Sequence, residues 1–398
     1  MRALAIVDGE HYPPVVRDAL AELPYEFVAV VLVGGSEKLR GGEDYGVPVA
    51  SGLDEAVALH EPDVVVDLSD EPVLGPRERL RLASETLAAG LPYVGADFRF
   101  DPPAFEPFPL PSIAVYGTGK RVGKTAVSGH VARLLARDRQ VLVVAMGRGG
   151  PPEPELIETP PTVGELLARS RAGQHAASDH LETAVLAGVP TIGCRRAGGG
   201  LAGSPFVSNV SAGARLAAER APDLVVFDGS GAAMPPVETG ARILVAHDLE
   251  TGLNPYRALI ADLVLTMRGD IAGAAAALGR RAIRCELRLE PVEPLAGRST
   301  ALFTTGPTRH EHLPEIVFES RRLADREQLR RDLAATDAEV FLVELKAAAI
   351  DVVAEAAAER GIPLVLARNE VVAPGLDDAL VELGELADPA EARDNPRR

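Results

Sequence analysis

Cysteine is nearly absent from this sequence, which has only Cys194 and Cys285 among its 398 residues. One pair cannot form a disulfide framework in a chain of that length, and the scarcity fits a reducing cytoplasm. Lysine is almost as rare: Lys38, Lys120, Lys124 and Lys346 are the whole set. Acids outnumber bases and leave a formal net charge of −17. A surface of that sign is unsuited to non-specific capture of nucleic acid or anionic membrane, so neither is expected as a partner. No apolar run reaches about 18 residues, so no spanning helix is expected. The opening Met1–Val7 meets Asp8 and Glu10 too early for a secretory signal and reads as a first buried strand.

What is present reads as globular: 46% of residues are hydrophobic and 25% charged. The length suggests about two or three domains. Strand-like and helix-like runs alternate from the start. Leu4–Val7, Phe27–Val33, Asp63–Leu68 and Tyr93–Gly95 read as strands, with helices at Val15–Leu23, Leu53–Leu59 and Arg77–Ala89 between them. This rhythm predicts a parallel sheet covered on both faces, a Rossmann-like α/β domain over residues 1–110. Phe100–Pro111 holds five prolines and reads as a linker or covering strap. Residues 111–294 read as a second α/β domain, 295–385 as a smaller C-terminal α/β unit, and 386–398 as a frayed tail.

Two of the four lysines fall in one short loop, Gly117-Thr118-Gly119-Lys120-Arg121-Val122-Gly123-Lys124-Thr125. The loop follows a strand-like run, Ser112–Tyr116, and opens a helix whose Val127, Val131, Leu134 and Leu135 share a face. Strand, glycine-rich loop ending Gly-Lys-Thr, and helix form the recipe for a P-loop, which cradles a nucleoside triphosphate. The usual first glycine of that pattern falls at Thr118, with Gly117 and Gly119 on either side, so this is a variant. The physics survives: N–H groups of Gly119 to Thr125 can wrap a β-phosphate, Lys124 can bridge β- and γ-phosphates, and Thr125 can ligate Mg²⁺.

A metal-bound triphosphate usually needs a carboxylate at the end of a neighbouring strand. Asp228 follows the strongly apolar Leu224–Phe227 directly and leads into Gly229-Ser230-Gly231. An ordinary strand-end turn would look the same. Glu153 and Glu155, just past Arg148, are further candidates for the metal. Arg148 and the pair Arg195-Arg196 stand at strand ends before glycines, where arginine offers paired donors to phosphate. His11, at the end of the first strand, and Lys38, at the end of the second, are candidates in the N-terminal unit. Gly198–Gly200 and Gly203 suggest a lid.

The spacing of Gly117–Thr125 resembles that of dethiobiotin synthetase and its deviant P-loop relatives. Phe227-Asp228-Gly229-Ser230-Gly231 is similar to their metal-binding turn, with Asp for Glu. A closer resemblance spans nearly the whole chain. Val7–Pro13, Gly34–Lys38, Gly117–Thr125, Ala145–Glu155 and Asp228–Gly231 together resemble cyclic 2,3-diphosphoglycerate synthetase. That resemblance implies ATP-dependent closure of 2,3-bisphosphoglycerate into a cyclic phosphoanhydride, with release of ADP and phosphate. It implies ATP and Mg²⁺ as cofactors and a small polyanionic substrate, and it leaves room for a homodimer. Lys124, Arg148, Asp228 and Lys120 are then the expected catalytic groups. Arg148, Arg195, Arg196, His11 and Lys38 are expected on the substrate, with Thr125, Asp228 and Glu153 on the metal. Two alternatives stand beside it: a P-loop GTPase or metallochaperone, and an ATP-dependent ligase or kinase acting on another anionic acid. GTP readers usually carry Asn-Lys-x-Asp after a late strand. Here Thr266 leads into Met267-Arg268-Gly269-Asp270, one residue out of step and without the lysine.

Overall fold

The α/β rhythm is realised as three sheets among the described residues. The computed structural model describes residues 1–35, 39–41, 43–346 and 349–387. The chain falls into two compact units. One comprises Met1–Ala104, Asp248–Ile260 and Ala274–Arg280, and the other Phe105–His247, Ala261–Gly273 and Arg281–Arg398. No described helix is long and apolar enough to cross a membrane.

The sheet of the first unit contains β1 (Arg2–Asp8), β2 (Glu26–Val33), β3 (Val49–Ala50), β4 (Val64–Asp67), β5 (Tyr93–Val94) and β6 (Arg99–Phe100). Their order is β3-β2-β1-β4-β5-β6, parallel except for the last pair. Ala3 to Val7 are all buried because a central parallel strand is covered on both faces, which erases the alternation of a half-exposed strand. Ala5, Val7 and Val30 pack with Val16 and Leu20 of the helix Pro13–Glu22. The helix Asn254–Leu259 comes from far along the chain to pack on Pro76–Ala88. Beside it Arg77 donates to Glu250 at 2.7 Å.

The second unit holds the other two sheets. The larger contains β7 (Ser112–Gly117), β8 (Val141–Gly147), β9 (Glu155–Ile157), β10 (Thr191–Ala197), β11 (Val207–Ser208), β12 (Leu224–Asp228), β13 (Ala241–Val245), β14 (Leu263–Thr266) and β15 (Ala282–Arg284). Its order is β11-β10-β8-β12-β7-β13-β14-β15, with β9 beside β10. The strand before the phosphate loop is therefore central, parallel to β12 on one side and β13 on the other. The helix Lys124–Leu135 buries Val127, Val131, Leu134 and Leu135 against Ile113, Val143, Val226 and Ile243. Those helix positions recur at the spacing of one apolar stripe.

The smaller sheet contains β16 (Glu286–Pro291), β17 (Thr300–Phe303), β18 (Ile316–Ser320), β19 (Val340–Glu344) and β20 (Leu364–Val372). Its order is β16-β20-β19-β17-β18, with only β16 antiparallel. Phe303, Phe341 and Val353 share one core with Leu166 and Leu181 from the helices Val163–Arg171 and Asp179–Ala187. Between Phe100 and Pro111 the chain adds only an isolated bridge, Glu106 to Val237, and buries Phe108 edge-on against Phe227 at 5.0 Å. At the far end Ala387 is buried and its carbonyl accepts the Ser112 N–H at 2.9 Å. Residues 388–398 of the expected frayed tail lie outside the described residues.

Candidate active site

The phosphate loop is an open cradle. Thr118 gives its N–H to Val245 O at 3.1 Å. Among the described residues the next N–H spent on a carbonyl is that of Val127, to Gly123 O at 3.1 Å. The donors between them are free to turn toward a phosphate. The backbone carries the strain such a clamp requires: Arg121 sits at φ 60° and Gly123 at φ 99°. The displaced glycine has a local reason. A Cβ on Gly117 would stand 2.9 Å from Val122 Cγ2 and 3.2 Å from Gly231 O. Thr118 keeps a side chain and uses it, with Oγ1 3.1 Å from His247 Nδ1.

Asp228 ends β12 in register with Val115 of β7, which sets its carboxylate beside the loop. Lys124 Nζ lies 2.5 Å from Asp228 Oδ1, and Ser128 Oγ donates to the same oxygen at 2.7 Å. Asp228 is buried, and Lys124 is 11% exposed at its side chain. Past Asp228 the chain turns through Gly231 at φ 60°, and two guanidiniums meet there beside the stem of Lys120. A Cβ on Gly231 would lie 3.2 Å from Arg148 Nη2, 3.6 Å from Arg196 Nη2 and 3.9 Å from Lys120 Cγ. Arg196 is anchored by carbonyls, donating to Ser230 O at 2.8 Å and Gly198 O at 2.7 Å. Its Nε is buried without a partner among the described residues. Burial, and then the neighbouring Arg148 charge, lower the Arg196 pKa, while Asp179 opposes them. Guanidinium stays protonated regardless. A cluster of like charges with an orphaned donor is an arrangement that an anion would relieve.

A cavity of about 1340 Å³ opens beside the loop, lined there by Lys120, Lys124, Arg148 and Gly231. That exceeds the range of roughly 300–1,000 Å³ usual for one small ligand. Asp179 enters it beside β8, where a Cβ on Gly147 would stand 2.9 Å from its Oδ2. A smaller cleft of about 340 Å³ lies on the other flank of the loop, lined by Arg121, Val122, Ala246, His247, Arg268 and Gly269.

Sequence descriptions of one family match the chain in three pieces. The N-terminal, P-loop and C-terminal domains of cyclic 2,3-diphosphoglycerate synthetase match residues 2–101, 112–276 and 291–370. The chain belongs to that family. A relative from Rubrobacter xylanophilus is 47% identical, with 97% of this chain and 98% of that protein aligned. Another, from Thermococcus kodakarensis, is 40% identical over 96% of this chain and 98% of that one. Both are named cyclic 2,3-diphosphoglycerate synthetase. A solved structure, LpxK from Aquifex aeolicus in complex with ATP, aligns at a TM-score of 0.41 and 15% identity, covering 70% of this chain and 90% of that one. At that score it carries no weight. Family membership makes the chain an enzyme, a nucleotide-using synthetase of the ATP-dependent ligase kind.

The structure brings together Gly117 to Thr125, Lys120, Lys124, Arg148, Arg196 and Asp228. Arg195 stands apart from them: successive strand residues point to opposite faces, and its side chain leaves β10 exposed on the other side from Arg196. Glu153 is exposed in the loop before β9. Glu155 is held by Arg169 Nη2 at 2.6 Å and His180 Nε2 at 3.3 Å. Burial pushes the Glu155 pKa up, but those two partners outweigh it and leave it lowered. His11 lies in the first unit between carboxylates, Nδ1 2.9 Å from Asp8 Oδ1 and Nε2 3.4 Å from Asp70 Oδ2. Burial raises the Asp8 pKa, but hydrogen bonds from the Asp70 N–H and from His11 prevail and lower it. That acidic corner is poorly suited to an anion. Lys38 lies outside the described residues. Both cysteines are free and buried, and burial pushes Cys194 up to about 12 and Cys285 to about 11, so neither is a nucleophile here. The loop expected as a lid is tied down by Gly200 N–H to Ser204 O at 2.8 Å and Met234 N–H to Gly203 O at 2.8 Å. Sequence reading missed Asp179 and the cavity wall formed by the segments that follow β17 and β19, since only the tertiary fold brings these distant segments to the loop.

Proposed function

We propose that the chain closes 2,3-bisphosphoglycerate into its cyclic phosphoanhydride at the expense of ATP, releasing ADP and phosphate. The observation that carries this reading is the meeting of Arg148 and Arg196 at the Gly231 turn beside the phosphate loop, with the stem of Lys120 against the same turn. Binding one triphosphate does not call for so many cations. Forcing two phosphates of one molecule together beside another polyanion does, since each like-charge pair near 4 Å costs about 4 kcal/mol at an effective dielectric of about 20. The relatives' names and the cavity volume support the same substrate class.

The loop N–H groups and Lys124 hold the β- and γ-phosphates, with Lys124 leaving Asp228 to do so. The hydroxyls of Thr125 and Ser128 and the buried carboxylate of Asp228 fit a hydrated divalent cation. Among the described residues no group of three or more His, Cys, Asp or Glu forms a dedicated metal cage, which suits magnesium drawing further ligands from water and phosphate. Magnesium held by these residues would supply neutralisation of the triphosphate charge. One substrate phosphate attacks the γ-phosphorus, and the bond from that phosphorus to the ADP oxygen breaks. The other substrate phosphate then attacks the inner phosphorus of the new diphosphate. An anhydride forms and inorganic phosphate leaves. Arg148, Arg196 and Lys120 hold the charge that builds up. The smaller cleft takes the nucleobase between His247 and Arg268. A cytoplasmic site of action, where such metabolites and reduced thiols occur, belongs to the same reading.

Phosphorus-31 NMR tests it directly. With ATP, the two monoester signals of 2,3-bisphosphoglycerate are expected to convert to an anhydride pair while ADP and phosphate appear. Substrate signals that never convert would overturn the assignment. Conversion of another anionic acid would move the chain to a different ligase activity, and a preference for GTP would reverse the nucleotide choice.

A further inference from the structure

We propose that the crevice at the carboxyl ends of β17 and β19 holds the phosphates of the non-nucleotide substrate. The identity of that substrate rests on the reaction proposed above; the anion site does not. The smaller sheet reverses its order here: the chain passes from β17 to β18 on one side, then crosses to β19 on the other. All three strands run parallel. In an open parallel sheet the crevice beyond the carboxyl ends at such a reversal is the place a ligand fits. Two segments bound it, Thr305–Arg309 after β17 and Lys346 just past β19, and both open into the cavity shared with the phosphate loop.

The crevice is built and braced. Thr305 donates to Glu344 Oε2 through its N–H at 2.8 Å and its hydroxyl at 2.9 Å. Asn369 Nδ2 donates to the other Glu344 oxygen at 3.2 Å. The buried carboxylate thus fixes Thr305, while Gly306 O accepts from the Thr304 hydroxyl at 2.7 Å and the Thr308 hydroxyl lies 3.3 Å from His310 Nδ1. Nothing lies within 4 Å of where a Gly306 Cβ would stand, so the backbone there is open to approach. The Thr308 hydroxyl, Arg309, Lys346 and Arg368 line the space. Each cation has a carboxylate partner: Arg309 the exposed Glu286, Lys346 the largely buried Glu182 at 2.8 Å, and Arg368 the part-buried Glu370 at 3.1 Å. Arg309 is 60% and Lys346 46% exposed at the side chain. Of these pairs Arg309–Glu286 is open to solvent at both ends and therefore weak, and a phosphate carrying about −1.5 to −2 charges competes for it well. The cavity therefore has a nucleotide end at the loop and an acceptor end at the smaller sheet, which accounts for its excess volume.

The test is calorimetry on the full-length chain with the phosphate loop saturated by a non-hydrolysable ATP analogue. Inorganic pyrophosphate and 2,3-bisphosphoglycerate are titrated separately. Both are expected to bind at one further site, and Thr308→Val with Arg309→Gln to weaken both at least tenfold. Affinity for the ATP analogue is expected to stay within twofold, which also reports an intact fold. Lys346→Gln serves as a second, independent variant with the same expectation. The crevice is overturned if pyrophosphate finds no site once the nucleotide is bound, if it binds both variants as tightly as the wild type, or if the variants lose the nucleotide equally. Variant-sensitive binding of pyrophosphate without binding of 2,3-bisphosphoglycerate would uphold the crevice and remove the proposed substrate.

Discussion

At the scale of single residues, the phosphate loop was legible because its signal is local. Strand, glycines, lysine and helix lie within a score of residues, and their spacing alone dictates the chemistry. The departure at Thr118 became intelligible only with the partners in view, since the residue is tied to His247 while Gly117 makes the close approach. Arg195 and Arg196 show the converse. Strand alternation alone says that two adjacent arginines cannot face one anion, and the structure turns Arg196 to the Gly231 cluster. Arg196→Gln is expected to cut turnover by about 10²-fold or more, as removal of one charge-stabilising donor does. Arg195→Gln is expected to leave it within about threefold, well below that loss. Steady-state kinetics of the two variants side by side checks this. Gly123→Ala asks an alanine to adopt φ 99° with its Cβ 2.7 Å from Met267 Cγ. The strain costs about 1–3 kcal/mol and is expected to appear both as a lower Tm and as weaker nucleotide binding. An alanine variant that binds as well as the parent would refute the clamp geometry.

At the scale of elements, the buried strands announced themselves as unbroken apolar runs, whereas short edge strands did not. β16 exposes Glu286 and Arg288 at the sheet edge, so its pattern reads as a polar loop. What joins the smaller sheet to the helix behind the phosphate loop was also illegible, because it is an ion network between residues far apart in sequence. Glu370 on β20 meets His130 at 3.1 Å and Arg133 at 2.6 Å, both on Lys124–Leu135, and Arg368 at 3.1 Å. Burial alone would raise the Glu370 pKa; these partners outweigh it and hold it at about 2, against an ordinary 4.5. A carboxyl with a depressed folded-state pKa stabilises the fold fully above its unfolded pKa and loses that contribution as pH falls through the folded value. The window is therefore pH 4.5 down to about 2. At pH 6, Glu370→Gln is expected to lower unfolding free energy by an amount on the order of 3 kcal/mol. Near pH 2.5 most of the gap to the parent is expected to close. Urea unfolding at both pH values reads it, and a gap that does not change with pH would remove Glu370 from the account.

At the scale of the whole molecule, the alternation of strands and helices was readable from the sequence. The return of Asp248–Ile260 and Ala274–Arg280 to the first unit was not, because nothing local marks which surface a short helix will cover. A fragment ending at residue 104 lacks the helix Asn254–Leu259 and the Arg77–Glu250 pair. Amides of Pro76–Ala88 are expected to exchange hydrogen faster in that fragment than in the full chain. Equal protection would show that the returning helix contributes nothing. The resting pair of Lys124 and Asp228 has a consequence for product inhibition. A cell is rich in inorganic phosphate, and the proposed reaction makes more of it. A bare phosphate that captured Lys124 would strand the buried Asp228 charge, a penalty of about 3–5 kcal/mol for a broken buried pair. A triphosphate that arrives with its own counter-cation satisfies both partners at once. The idle enzyme would thus discount its own product while remaining open to fresh fuel.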